Sequence, residues 1–144
     1  MPATPSSIIA LDVGAKRVGV AVTTLVARLP RPLQTLERGD NFFTELKKII
    51  DSEAVNLIVV GLPRGLQGQH TKQTQAIEDF TEELKQHSSL AIHFQDEALT
   101  SHKAEEELEA RGKAYKKADI DALAATYILN DFLIEQHNLE ELAV

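Results

Sequence analysis

Two β-branched runs set the first constraint on this chain. Ser7-Ile-Ile-Ala-Leu-Asp-Val13 and Arg17-Val-Gly-Val-Ala-Val-Thr23 flank Gly14-Ala-Lys16, and such runs about a short glycine-containing turn read as an antiparallel hairpin. A third, weaker strand is expected at Leu33-Gln-Thr-Leu36, after Pro30 and Pro32. The hydrophobic period then lengthens. Phe42, Phe43, Leu46, Ile49 and Ile50 recur at helical spacing behind Asp40, a candidate cap. Asn56-Leu-Ile-Val-Val60 reads as a strand buried on both faces, and Gly61-Leu-Pro-Arg-Gly-Leu-Gln-Gly68 as a loop. A helix is expected from about Thr71 to Gln86, with Ala76, Ile77, Phe80 and Leu84 on one face, then a strand at Leu90–Phe94. Thr100 to Arg111 reads as a helix closed by Gly112. The last helix is expected from Asp119 to Gln136, with an apolar stripe of Ile120, Leu123, Ala124, Tyr127, Ile128 and Ile134. The order β-β-β-α-β-α-β-α-α makes an α/β fold, a mixed five-stranded sheet flanked by helices.

The 144 residues are expected to form one domain, 1–144. With 43% hydrophobic and 26% charged residues the chain has a globular balance. No apolar run approaches the roughly 20 residues of a spanning helix, so a membrane partner is not expected. The first seven residues lack a basic region and a long apolar stretch, which points away from secretion. The absence of cysteine excludes thiolate zinc sites and cysteine nucleophiles, and it agrees with a cytoplasmic location. Neither a P-loop nor an H-E-x-x-H spacing occurs. The five phenylalanines read as scattered packing residues without a base-stacking cluster.

The net charge is −7, but it is unevenly placed. Residues 1–39 carry five bases and two acids, 64–75 two bases, and 110–119 four bases against Asp119; residues 76–109 carry ten acids and two bases. A nucleic-acid surface therefore requires the three basic segments to gather while the acidic one faces elsewhere. Its candidate residues are Lys16 and Arg17 in the hairpin turn, Arg64 in the glycine-rich loop, and Lys113, Lys116 and Lys117 ahead of the last helix.

Three carboxylate positions stand out. Asp12 interrupts an apolar strand near its end, where an unpaired charge costs several kcal/mol; a turn-forming Asp bonded to the Gly14 backbone is the plain alternative. Asp96-Glu97 follows a later strand, where helix entry alone accounts for acids. Asp119-Ile-Asp121 opens the last helix, with Asp119 as a cap and Asp121 needing another explanation. Acids at the ends of such elements can converge on one edge of a mixed sheet and hold Mg²⁺ or Mn²⁺, as phosphodiester hydrolysis by two metals requires.

Four blocks, Ile9-Ala-Leu-Asp-Val-Gly-Ala-Lys-Arg-Val-Gly-Val-Ala21, Val60-Gly-Leu-Pro63 with Gly68, Asp96-Glu97 with Leu99-Thr-Ser101, and Ile120-Asp-Ala-Leu-Ala-Ala125, resemble the YqgF family in content and order. Its members are described as Holliday-junction-resolvase-like proteins and as pre-16S rRNA nucleases. The resemblance implies a ribonuclease H-like fold and metal-binding and catalytic roles for Asp12, Glu97 and Asp121. It further implies phosphodiester hydrolysis with Mg²⁺ or Mn²⁺ during 5′-end maturation of small-subunit rRNA. Partners would be pre-rRNA or branched DNA, and ribosomal precursor particles. Ala98 stands where the family block usually has an arginine. The alternative is a nucleic-acid- or ribosome-binding factor with little hydrolysis. A kinase-like fragment sharing the Asp-x-Gly turn is disfavoured by length, because such enzymes bind nucleotide between two domains.

Overall fold

A computed structural model describes residues 7–63, 70–97 and 100–142. Arg64, Ala98 and most of the glycine-rich loop lie outside the described residues. The elements are β1 (Ser7–Val13), β2 (Arg17–Thr24), β3 (Arg31–Glu37), α1 (Phe42–Ser52), β4 (Val55–Pro63), α2 (Lys72–His87), β5 (Ala91–Glu97), α3 (Thr100–Ala110) and α4 (Lys117–Leu142). The sheet order is β3-β2-β1-β4-β5. β1, β2 and β3 pair antiparallel, and β4 and β5 extend the sheet in parallel to β1. The mixed sheet is the one the element order implies. Edge strand β3 is longer than expected and contains Pro32, which sits where the β2–β3 register shifts, a position at which a missing N–H costs no regular ladder bond.

Alternation along the strands sorts side chains to two faces. Ile9, Leu11, Val20, Ile58 and Val60 face α1 and α2, meeting Phe42, Leu46, Ile77, Phe80 and Leu84. Ile8, Ala10, Ala21 and Val59 face α4, meeting Ala125, Ile128, Leu129 and Phe132. α3 packs outside on α4, through Ala104 and Leu108 against Leu123 and Ala124. Among the described residues no helix is long and apolar enough to cross a membrane.

The structure corrects several local expectations. Asn41, not Asp40, occupies the α1 N-cap, and its side chain makes no capping bond. Gly61-Leu-Pro63 belongs to β4 rather than to a loop, because it pairs with Gln95, Asp96 and Glu97. For the same reason Asp96 and Glu97 end β5 instead of following it. α4 starts at Lys117; Asp119 lies inside its first turn and accepts the Lys116 amide at 2.8 Å. Ile134 is 52% exposed and Ala76 is exposed, so neither belongs to its expected apolar face. The α4 pattern is blurred because the helix is sandwiched between the sheet and α3. The phenylalanines are not all scattered: Phe42, Phe43 and Phe80 touch one another, and the His87 ring stacks on Phe43 at 4.0 Å. By contrast, α2 is capped at Thr71 by a reciprocal pair with Thr74, and Gly112 takes the positive φ of 71° that ends α3.

Candidate active site

Asp12 is the next-to-last residue of β1 and shares a face with Ile8 and Ala10, towards α4. Its partner in β2 is Gly19. On its other side the parallel register runs through Leu11 and Val60, so Gly61 is the β4 residue that follows alongside. Asp12 thus lies between two glycines in a row across the sheet, and each glycine has a task. A Cβ on Gly19 would overlap the Asp121 carbonyl and the Ala122 nitrogen, so the first turns of α4 rest directly on the β2 backbone. A Cβ on Gly61 would stand 2.5 Å from Ile128 Cδ1 and 3.4 Å from the Glu97 carboxyl carbon. The glycines therefore let Asp121 and Glu97 approach Asp12 from opposite sides. A glycine among β-branched residues is the sequence signal of such an approach, and Gly19 was the one most readily overlooked.

The electrostatics agree with this placement. The Asp12 carboxyl is pushed up to about 7, first by burial and then by the negative charges of Glu97 and Asp121. Asp121 is partly compensated: Arg17 donates through Nε to its Oδ2 at 2.7 Å. Arg17 is thus held against the carboxylates rather than extended from the turn. Gln95, the β5 partner of Gly61, is 2% exposed, and its Oε1 has no hydrogen-bond partner among the described residues.

An all-oxygen carboxylate set suits Mg²⁺ or Mn²⁺, and the Asp12 carboxyl is raised first by burial and then by the negative charges of Glu97 and Asp121, which a cation would offset. In donor chemistry the residues fit a divalent ion. Among the described residues, however, no three His, Cys, Asp or Glu side chains stand close enough to ligate one ion together. The three acids share a face and a neighbourhood, not a closed coordination shell.

The basic candidates divide. Lys16 is exposed in the β1–β2 turn beside the acids. Lys116 and Lys117 are exposed at the start of α4, one turn ahead of Asp121. Lys113 lines a groove of about 470 Å³ between β3 and the α3–α4 connection, together with Arg111 and Tyr115. Thr35 Oγ1 donates to the Ala118 carbonyl at 2.6 Å, and both residues line that groove. Arg28 and Arg31, counted in the basic first segment, lie at the opposite end of the sheet. The β2–β3 connection is there, and Arg31 pairs with Glu53 at 3.3 Å. The first basic segment therefore does not gather as a whole.

A profile of the RuvX family, described as Holliday junction resolvase, matches residues 6–135. The chain belongs to the RuvX family. This is the family also called YqgF, so the motif resemblance and the profile agree. A relative from Thermoanaerobacter pseudethanolicus is 38% identical over 136 residues, covering 91% of this chain and 98% of its own. Another, from Sulfurihydrogenibium sp., is 36% identical over 130 residues, covering 89% and 90%. Both carry the name "Putative pre-16S rRNA nuclease". Among solved structures, T. thermophilus RuvC in complex with a Holliday junction superposes with a TM-score of 0.53 at 12% identity, over 90% of this chain and 96% of that one. That likeness concerns the fold, which is the ribonuclease H-like resolvase fold.

Proposed function

We propose that this RuvX-family protein is a divalent-metal-dependent endonuclease that hydrolyses phosphodiester bonds and matures the 5′ end of pre-16S rRNA in the cytoplasm, acting on ribosomal precursor particles. The observation that carries the reading is Asp12, set between two glycines and raised to about 7 by burial with Glu97 and Asp121 beside it. The names of the relatives at 36% and 38% identity support the substrate.

In this reading Asp12, Glu97 and Asp121 hold Mg²⁺ or Mn²⁺ and are the catalytic carboxylates. The ion, when bound, supplies an activated water and offsets charge on the phosphate oxygens. The chain's own residues do the rest. Gly19 and Gly61 let α4 and Glu97 come close to the sheet beside Asp12, and Arg17 orients Asp121 through the bond at 2.7 Å. Lys16, Arg17, Arg64, Lys113, Lys116 and Lys117 track the backbone of the nucleic acid.

A binding factor with little hydrolysis is the second reading, favoured by the ion pair that Arg17 already makes with Asp121. One experiment separates them. Precursor rRNA and a four-way DNA junction are incubated in parallel with Mg²⁺ or Mn²⁺, using wild type and Asp12→Asn, and binding is measured separately in EDTA. The expected result is rRNA cleavage that Asp12→Asn reduces by more than about 100-fold, the upper range for outer-shell partners of a metal, while binding stays within about twofold. Binding without cleavage of either substrate by wild type overturns the nuclease reading. Cleavage of the junction alone overturns the rRNA assignment.

A further inference from the structure

The sheet end that carries the carboxylates borders a second cavity, on the α1–α2 face. It has a volume of about 520 Å³ and is lined by Ala15 of the β1–β2 turn, Arg38, Phe42, Phe43, Phe80 and Glu83. Arg38 follows directly on β3 and is fixed at three points. Its amide donates to the Lys16 carbonyl at 2.8 Å, one guanidinium nitrogen donates to the Gly14 carbonyl at 3.0 Å, and the guanidinium carbon lies 5.2 Å from the centre of the Phe80 ring. Phe80 and Phe42 are themselves buried. The cavity lining therefore includes an exposed guanidinium that lies over an aromatic ring. Among the described residues its partners are a carbonyl and a ring, not a carboxylate, so its charge is not cancelled there by an ion pair.

We propose that this cavity receives one unpaired nucleobase of the nucleic acid held at the carboxylates, stacked on Arg38. The inference rests on the nuclease reading and adds a base subsite to it. Planar guanidinium groups and aromatic rings are the surfaces on which splayed bases stack, and a cation lying over a ring is stabilised in that position. The lining favours a base over a bare phosphate. Three phenylalanines supply apolar walls, and the Glu83 carboxylate would repel a phosphate but accept a hydrogen bond from an exocyclic amino group. Continuity with the candidate active site is short. Ala15 is three residues from Asp12, at most about 11 Å of chain, and exposed Lys16 is the next residue of the same turn. A strand crossing Lys16 reaches the cavity within a few nucleotides. Phe42, Phe43 and Phe80 come from two helices, so their convergence is visible only in the folded chain.

The test compares an oligoadenylate RNA of about 12 nucleotides, within the usual range for single-strand sites, with an abasic ribose-phosphate oligomer of the same length. Both carry the same backbone charge, and only the first can stack. Affinities are measured in EDTA for wild type, Arg38→Lys and Arg38→Met, with thermal melting to verify folding. Wild type is expected to bind the base-bearing oligomer about tenfold more tightly than the abasic one. Arg38→Lys keeps the charge and loses the plane, so it should leave abasic binding unchanged and reduce that ratio to about twofold or less. Arg38→Met should reduce the ratio equally. A ratio that survives both substitutions overturns the proposal. So does a loss in Arg38→Met that is equal for both oligomers and restored by Arg38→Lys, because that is the behaviour of a phosphate contact. Cleavage of precursor rRNA by the same variants keeps the two readings apart. An unchanged base ratio with intact cleavage removes only the subsite, whereas absence of cleavage by wild type removes the nuclease reading without touching the ratio.

Discussion

Against α1 and α2 the sheet presents Ile9, Leu11, Val20, Ile58 and Val60, and the helices answer with phenylalanine, leucine and isoleucine. Against α4 it presents Ile8 and Val59 to Ile128, Leu129 and Phe132, but at the end that carries the acids it presents Gly19, Ala21 and Gly61, and the helix answers near its start with Ala122 and Ala125. The first face is held by volume, and the acid-bearing end of the second by closeness. A face built from large side chains keeps helix and sheet apart and excludes water between them. Small residues let the helix backbone settle on the strand, so polar groups at its first turns come beside polar groups at the strand ends. All three candidate carboxylates are on the second face. The raised Asp12 pKa is the structural cost of burying a carboxylate there and of gathering other acids beside it.

The largest expected effect breaks the closeness itself. In Gly19→Ala the new methyl group meets the α4 backbone, which cannot swing aside as a side-chain tip could. The expected loss is about 3 kcal/mol or more, at or beyond the usual range for overpacking, with cleavage lost in whatever protein still folds. Ile58→Val on the opposite face should cost about 0.5–1.5 kcal/mol and leave cleavage intact. Urea unfolding of both variants decides the matter, and equal losses would show that the two faces are held in the same way.

Asp12→Asn should have the opposite sign. An acid whose folded pKa is about 7 against 3.8 unfolded loses stability as pH rises through that window, because the folded state retains the proton longer. The cost is absent near pH 4 and fully present above about pH 7. In metal-free buffer at pH 8 the substitution should therefore stabilise the protein by about 1–3 kcal/mol, a figure reduced from the full shift because Asp12 is partly exposed. The gain should vanish near pH 4, and melting curves across the range would measure it. A gain independent of pH would mean that charge is not its source.

The smallest effect concerns the lysines ahead of α4. Lys116→Ala with Lys117→Ala should leave unfolding nearly unchanged, since both side chains are exposed. It should weaken binding to all nucleic-acid sequences alike and lower the salt slope by about one for each phosphate that is no longer neutralised. A slope unchanged in a salt series would remove this turn from the nucleic-acid surface.

Much of the architecture was legible in the chain. β-branched runs about Gly14-Ala-Lys16 specified the hairpin, and the change of period at Phe42 marked where helices begin. Asp12 was conspicuous because a carboxylate in an apolar strand demands an explanation. The ends of β4 and β5 were not legible. Gly61-Leu-Pro63 has turn composition, and only its pairing with Gln95-Asp-Glu97 makes it strand. The start of α4 was misplaced because Asp119 can serve a helix either as its cap or from within its first turn, and local sequence does not choose between them.

What the sequence determined by itself was the order of elements and the residues able to carry chemistry, because hydrophobic period and turn composition act over a few neighbouring residues. What only the tertiary structure decided was which of those residues meet. Arg17 reaches Asp121 across 104 positions, Gly19 yields to the α4 backbone, and Phe42 finds Phe80 beneath Arg38. These encounters follow from sheet register and from how closely each helix can approach, quantities set by the packing of both faces together and encoded in no single segment.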